Sequence, residues 1–125
     1  MVPGSLLATP SSRMAAKQCN DMNGSKNTLA AATAFKALFP MTVNMAELNG
    51  NEKYLRLGKK LPTNASNPKI IHNGDLMLYG DNAVVLFYKT FSTSYDYMRF
   101  GCIKAPTGLA AAVGSGSVTV TFELE

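Results

Sequence analysis

The segment of residues 74–101 constrains the fold more than any other part of the chain. It holds two apolar runs, residues 76–79 and 83–88, which are joined through Asp81 and Asn82. Short apolar runs are typical of strands, and aspartate and asparagine are typical of the turns between them. The segment therefore predicts two neighbouring strands with a tight turn, and a third strand follows them.

Short elements of both kinds flank this segment. Residues 27–39 predict a helix, because Asn27 or Thr28 can cap its first turn and Pro40 ends it. Its apolar face is expected to hold Leu29, Ala32, Phe35, Ala37 and Leu38 or Phe39. Further strands are predicted at residues 41–45, 52–57, 70–71, 95–103 and 118–124, and a second helix from Thr107 or Gly108 to Val113. Many short strands with two helices indicate an all-β barrel with peripheral helices.

The composition is that of one ordinary globular domain. The chain has 125 residues, of which 46% are hydrophobic and 16% charged, and this length suffices for a single core. The formal net charge is +4, but only Lys59 and Lys60 are adjacent among the basic residues. This scatter argues against a nucleic-acid partner. No apolar run approaches the ~18 residues of a spanning helix, so no membrane partner is expected.

The amino terminus and the cysteines bear on location and on metal binding. No apolar stretch of the signal-peptide type follows Arg13 and Lys17, so the cytoplasm is the default location, while an exported precursor stays open. Two cysteines, Cys19 and Cys102, and a single histidine, His72, are too few for a four-ligand zinc site. We therefore expect no metal and no cofactor. One disulfide stays open, although Cys102 is expected to pack as a small apolar side chain.

Three segments, in their order and spacing, resemble the bacterial and archaeal cyclophilin-like domain family. They are residues 34–57, 74–101 and 108–125, with FYK, STSYDY and GLAAAVGSG as their most specific parts. The resemblance covers residues 28–125. It implies a mainly β fold, a closed or partly open cyclophilin-like β-barrel whose open ends are covered by the two short helices, and most members lack an established activity.

The amino-terminal segment departs from the family pattern. Members usually begin with two well-patterned strands, whereas residues 1–26 are weakly patterned and residues 27–125 carry the barrel domain. Asn23-Gly24 is typical of a hairpin turn. Either residues 14–22 form a degenerate edge strand, or the barrel is partly open there and can pair with another chain. The protein is accordingly expected to be a monomer or a dimer through this edge.

A stripe of polar aromatic and basic residues is the predicted ligand site. Tyr95, Tyr97 and Arg99 share one face of a strand, because side chains alternate across it. The other face carries the apolar set expected to point inward: Met98, Phe100 and Cys102. With Phe91, the outward stripe predicts a groove that binds a peptide carbonyl or a carboxylate and stacks an apolar group on the rings. The alternative is a cation–π ladder that only stabilises the sheet.

The leading functional hypothesis is a non-enzymatic binding module that takes a peptide segment or a small anionic ligand in this groove. A peptidyl-prolyl isomerase is the first alternative, with Arg99 as donor and Phe87, Phe91 or Met77 as the apolar cup. The histidine that lies between phenylalanine and arginine in the motif of active isomerases is not found here. A purely structural partner domain is the second alternative.

Other polar residues are predicted to have local roles, so no catalytic residue is assigned. His72 and Asp75 are expected to hydrogen-bond within a turn before a strand. Glu47 and Glu52 flank the Asn49-Gly50 turn, and no motif fixes the separation that paired carboxylates need for hydrolysis. Both are therefore interpreted as solvated turn residues.

Overall fold

The computed structural model describes residues 5–9, 14–17, 26–103 and 108–124. The strands are β1 Ser5–Thr9, β2 Met14–Lys17, β3 Met41–Leu48, β4 Glu52–Arg56, β5 Ile70–Ile71, β6 Asp75–Tyr79, β7 Ala83–Phe87, β8 Phe91–Ser92, β9 Met98–Ile103 and β10 Val118–Leu124. The helices are α1 Lys26–Lys36 and α2 Leu109–Val113. The predicted strands and helices are present, although α1 ends at Lys36 and β9 begins only at Met98. The sequence pattern did not indicate β1 and β8.

Eight strands form a closed antiparallel barrel in the order β1-β10-β3-β4-β7-β6-β9-β2. Six of them, from β10 to β9 in that order, make one curled sheet, and the β1–β2 pair closes it. In β2, Ala16 pairs with Ile103 and Lys17 with Cys102. The Asn23-Gly24 turn lies outside the described residues. The expectation of a mainly β cyclophilin-like barrel with two short helices is confirmed.

The barrel interior is the main core. Leu86, Val120, Phe122 and Phe100, which was expected to point inward, are at most 1% exposed. Phe35 of α1 enters this core, with its ring edge-on to Phe100 and Phe122 at centroid distances of 5.3 and 5.2 Å. In β7 the side chains alternate as the period of two requires, with Val84 and Leu86 in this core and Val85 and Phe87 on the outer face.

Helix α1 covers the barrel with a narrower apolar stripe than the sequence predicts. In α1 the buried residues are Ala31, Ala32 and Phe35, whereas Leu29 is 52% exposed and Ala37 is exposed. At about 100° per residue, Leu29 lies away from the buried stripe, and Ala37 follows the last residue of α1, so the assignment of both to the apolar face was wrong. None of the helices in the described part of the chain is long and apolar enough to span a membrane.

A second apolar cluster lies on the outside of the barrel. Strands β5 and β8 pair as a separate two-stranded sheet that covers part of the outward faces of β6 and β7. The buried members of this cluster are Ile71, Met77, Val85, Phe87 and Tyr97. Tyr54 and Phe91 pack against it. One stretch of the outer face is therefore buried, and the rest of it stays open.

Candidate functional site

An open groove of about 310 Å³ follows the outer face of β4 and β7. Ala83 and Val85, which pair with Arg56 and Tyr54 of β4 and are each 4% exposed, form its floor. Both side chains are small, and this leaves room above them. The residues that line the groove are Leu48, Asn49, Glu52, Tyr54, Arg56, Tyr79, Ala83, Val85, Tyr95 and Tyr97.

Three tyrosines form one wall of the groove. The Tyr79 ring lies 5.5 Å from the Tyr97 ring and 6.4 Å from the Tyr95 ring, measured between centroids. Tyr97 is held in place by two backbone hydrogen bonds with Ser66, each 3.0 Å long. Burial, together with the charge of Glu52, raises the pKa of Tyr97 to about 12. Its hydroxyl therefore stays protonated at neutral pH and can donate a hydrogen bond to a ligand.

Glu52 supplies a carboxyl group to the groove. It is the first residue of β4, lies opposite Phe87 in the strand register and is only 7% exposed. Burial and the negative charge of Glu47 raise the pKa of Glu52 to about 7. Within the described ranges, no residue donates a hydrogen bond to this carboxylate or forms an ion pair with it.

Arg56 lies on the same face of β4, at the other end. Four residues of extended strand separate it from Glu52, which corresponds to about 13 Å. Its guanidinium Nη1 is 3.4 Å from Asn82 Oδ1, and the side chain is exposed. The groove thus has an acidic end and a basic end with tyrosine rings between them.

The inward face of β4 carries a second buried charge. Lys53 is fully buried, and its Nζ donates to Glu47 Oε1 at 2.9 Å, to the Gly114 carbonyl at 2.8 Å and to the Gly116 carbonyl. The Tyr88 hydroxyl donates to the same Glu47 oxygen. Burial would raise the pKa of Glu47, but these donors and the Gly50 N–H lower it below its usual value.

The structure separates the four residues predicted to form the ligand site. Tyr95 and Tyr97 line the groove. Arg99 points outward as expected, but its Nε lies 3.3 Å from Asp75 Oδ1 in an ion pair outside the groove. Phe91 packs on Phe87 in the outer apolar cluster, with 5.6 Å between ring centroids. Two of the four therefore share one surface with Glu52 and Arg56.

The polar residues of the predicted turn have the local role expected of them. Asp75 is buried and accepts the His72 N–H at 2.8 Å, and the Asp75 N–H donates to the His72 carbonyl at 2.9 Å. Cys102 is disulfide-bonded, which decides between a free thiol and a disulfide. The other cysteine in the sequence, Cys19, lies outside the described residues.

Sequence reasoning missed eight of the ten residues that line the groove, and three of the eight are neighbours on β4. Glu52, Tyr54 and Arg56 occupy alternate positions of one strand and so share its outward face. The motif EKYLR carries this alternation. Because Glu52 follows a turn, however, it was interpreted as a solvated turn residue. Among the described residues, no group of three or more histidine, cysteine, aspartate or glutamate side chains could hold a metal ion.

Comparison with known proteins identifies the family. The model of the cyclophilin-like family matches residues 18–123. No curated protein and no solved structure matches the chain. The family match spans every residue that lines the groove.

Proposed function

The chain belongs to the cyclophilin-like family, and from this premise we propose that it is a ligand-binding domain whose groove takes an extended peptide segment. The observation that carries the proposal is the open groove on the outer face of the barrel, with a small-residue floor and a tyrosine wall. Its volume of about 310 Å³ is at the lower end of the range for ligand pockets. An open site of this size suits part of a longer molecule.

The chemistry of the lining supports a peptide. Tyrosine rings provide rigid apolar area at a small cost in conformational entropy, and their hydroxyls pair with carbonyl groups. The protonated Tyr97 hydroxyl and the Arg56 guanidinium are donors for such carbonyls. A segment that lies along β4 would contact both.

Titration of ¹⁵N-labelled protein with blocked tripeptides tests the proposal. Amide shifts are expected at Ala83, Val85 and Tyr97, because these residues border the groove. Tyr95→Ala is expected to weaken binding about fivefold, since stacking on an exposed ring contributes roughly 1 kcal/mol. Ile70→Ala is the matched control, because Ile70 is also exposed (48%, against 62% for Tyr95) but does not line the groove.

Two results would contradict the proposal. If no peptide shifts the amides around the groove, the outer face is not a binding site of this kind. If the shifts instead cluster around Arg99 and Phe91, the ligand occupies the surface beside Asp75 and the site has been assigned to the wrong part of the barrel.

We also propose that the protein works in an oxidising compartment. The sequence alone favours the cytoplasm, but a disulfide at Cys102 is typical of exported proteins, since the cytosol keeps thiols reduced. Alkylation of the freshly isolated native protein, followed by mass measurement, tests this proposal. A fully alkylated population would count against it.

A further inference from the structure

We infer that the groove seats a cationic group of its ligand, the side chain of a lysine or arginine residue in a peptide, against the carboxylate of Glu52 and the surrounding tyrosine rings. This inference rests on the proposed ligand-binding function and names the chemistry of the ligand.

The first observation is that Glu52 differs from the other shielded carboxylates in its hydrogen-bond and ion-pair partners. Asp75, which is 2% exposed, accepts the His72 N–H and pairs with Arg99. Glu47 accepts from Lys53, Tyr88 and the Gly50 N–H. Glu52, which is 7% exposed at the groove, has no such partner among the residues that the structure describes, and a carboxylate largely shielded from water without a partner costs free energy. An ammonium or guanidinium group of a ligand would supply the missing counter-charge.

The second observation is the aromatic surface beside this carboxylate. Tyr54, Tyr79, Tyr95 and Tyr97 all line the same groove as Glu52, and Tyr79 lies between the other two wall rings. The face of an aromatic ring attracts cations, and groups of such rings recognise ammonium ligands. The charge of Glu52 contributes to the raised pKa of the Tyr97 hydroxyl, and both residues line the groove.

The third observation indicates the orientation of the ligand along the groove. Arg56 would repel a cation at its own end of the groove, about 13 Å from Glu52 along the strand. A basic side chain therefore belongs at the Glu52 end, and carbonyl or carboxylate groups of the same segment belong at the Arg56 end. This arrangement differs from the small anionic ligand that the sequence suggested, which would use the basic end alone.

The decisive experiment compares charged and neutral ligands of the same shape. Blocked tripeptides with alanine on both sides of lysine, arginine, norleucine or glutamate are titrated at pH 8 into the native protein, Glu52→Gln and Asp81→Asn. The expected result is that the lysine and arginine peptides bind about tenfold more tightly than the norleucine peptide, as for a hydrogen bond to a charged group. Glu52→Gln should remove this difference. Asp81→Asn removes the same charge from the exposed β6–β7 turn and should preserve the difference in affinity between the basic peptides and the norleucine peptide.

Each other outcome contradicts a defined part of the argument. Equal binding of all four peptides in the groove, unaffected by Glu52→Gln, would overturn the cation inference and leave the proposed function intact. Preference for the glutamate peptide, lost in Arg56→Gln, would overturn it in favour of an anionic ligand. Absence of any shift in the groove would overturn both. If n-butylammonium alone bound as tightly as the lysine peptide, the cation would come from a free amine, and the peptide part of the inference would be wrong.

Discussion

Glu52 and Lys53 are consecutive residues of β4 and both are shielded from solvent, but they differ in their hydrogen-bond partners. Lys53 points into one end of the barrel and has three oxygen acceptors. Glu52 points into the outer groove and has no donor among the described residues. One strand thus carries a fully compensated charge on one face and an uncompensated one on the other.

The difference separates a structural charge from a functional one. Lys53 joins β4 to the carbonyls of Gly114 and Gly116, so it ties the strand to the segment that leaves α2. Its partners are all part of the fold. Glu52 makes no comparable contacts with the described part of the fold, and the burial of its charge is unfavourable. A shielded charge of this kind in a groove is typical of a ligand-binding residue.

Removal of Lys53 is the largest effect that this comparison predicts. Lys53→Met is expected to lower the free energy of unfolding by ~3 kcal/mol, because Glu47 loses its counter-charge and two carbonyls lose their donor. Chemical denaturation at pH 7 measures it. Lys60→Met is the control, since Lys60 is 84% exposed with a 3.8 Å ion pair to Asp81, and a change within about 0.5 kcal/mol is expected there. Equal stability of the two variants would mean that the Lys53 contacts are not needed for the fold.

The pH dependence of stability is the next largest effect. The pKa of Glu52 rises from 4.5 to about 7 on folding, so the folded state prefers the protonated acid. Stability from this group is therefore fully present below pH 4.5 and is lost as the pH rises through about 7. Glu52→Gln, which cannot ionise, should match the native protein at pH 4.5 and exceed it by roughly 2 kcal/mol at pH 8.

Several other titratable or charged groups lie around Glu52. Their contributions to the pH dependence of stability cancel when the native protein is compared with Glu52→Gln. Glu47, Tyr88 and Tyr97 interact electrostatically with Glu52, and Arg56 and Tyr79 line the same groove. All of them are present in both proteins, so the difference between the two denaturation curves across pH 4.5–8 isolates Glu52. A constant difference over that range would show that Glu52 does not titrate there.

The difference expected between two tyrosine hydroxyls is smaller, about 1 kcal/mol. The Tyr88 hydroxyl donates to the charged Glu47, whereas the Tyr97 hydroxyl shares a hydrogen bond with the neutral Thr93. Tyr88→Phe is expected to cost about 2 kcal/mol and Tyr97→Phe about 1 kcal/mol, because hydrogen bonds to charged groups are stronger. Thermal unfolding of the two variants ranks them. The reverse order would place the stabilising polar network on the groove side of the sheet.

The sequence predicts the strands and the inward core because both follow from the period of two along each strand. The groove is harder to predict, since it depends on which part of the outer face the β5–β8 sheet covers. Phe91 and Ile71 pair across that sheet, and two-residue strands carry no periodic signal. Arg99 was placed on the correct face, but its pairing with Asp75 depends on the register between β9 and β6, which shifts between Leu76 and Met77.

The smallest effect concerns prolyl isomerisation, for which we expect none. Isomerisation needs a donor held beside the twisted imide, and a donor outside the apolar cup contributes little against a barrier of ~20 kcal/mol. Arg99, the donor considered from the sequence, is paired with Asp75 outside the groove. A proline peptide should therefore isomerise at its uncatalysed rate, over tens of seconds or longer, in the presence of the protein and of Arg56→Ala alike. Acceleration by the native protein that Arg56→Ala abolishes, with the fold intact by amide shifts, would make the groove an active site and Arg56 its donor.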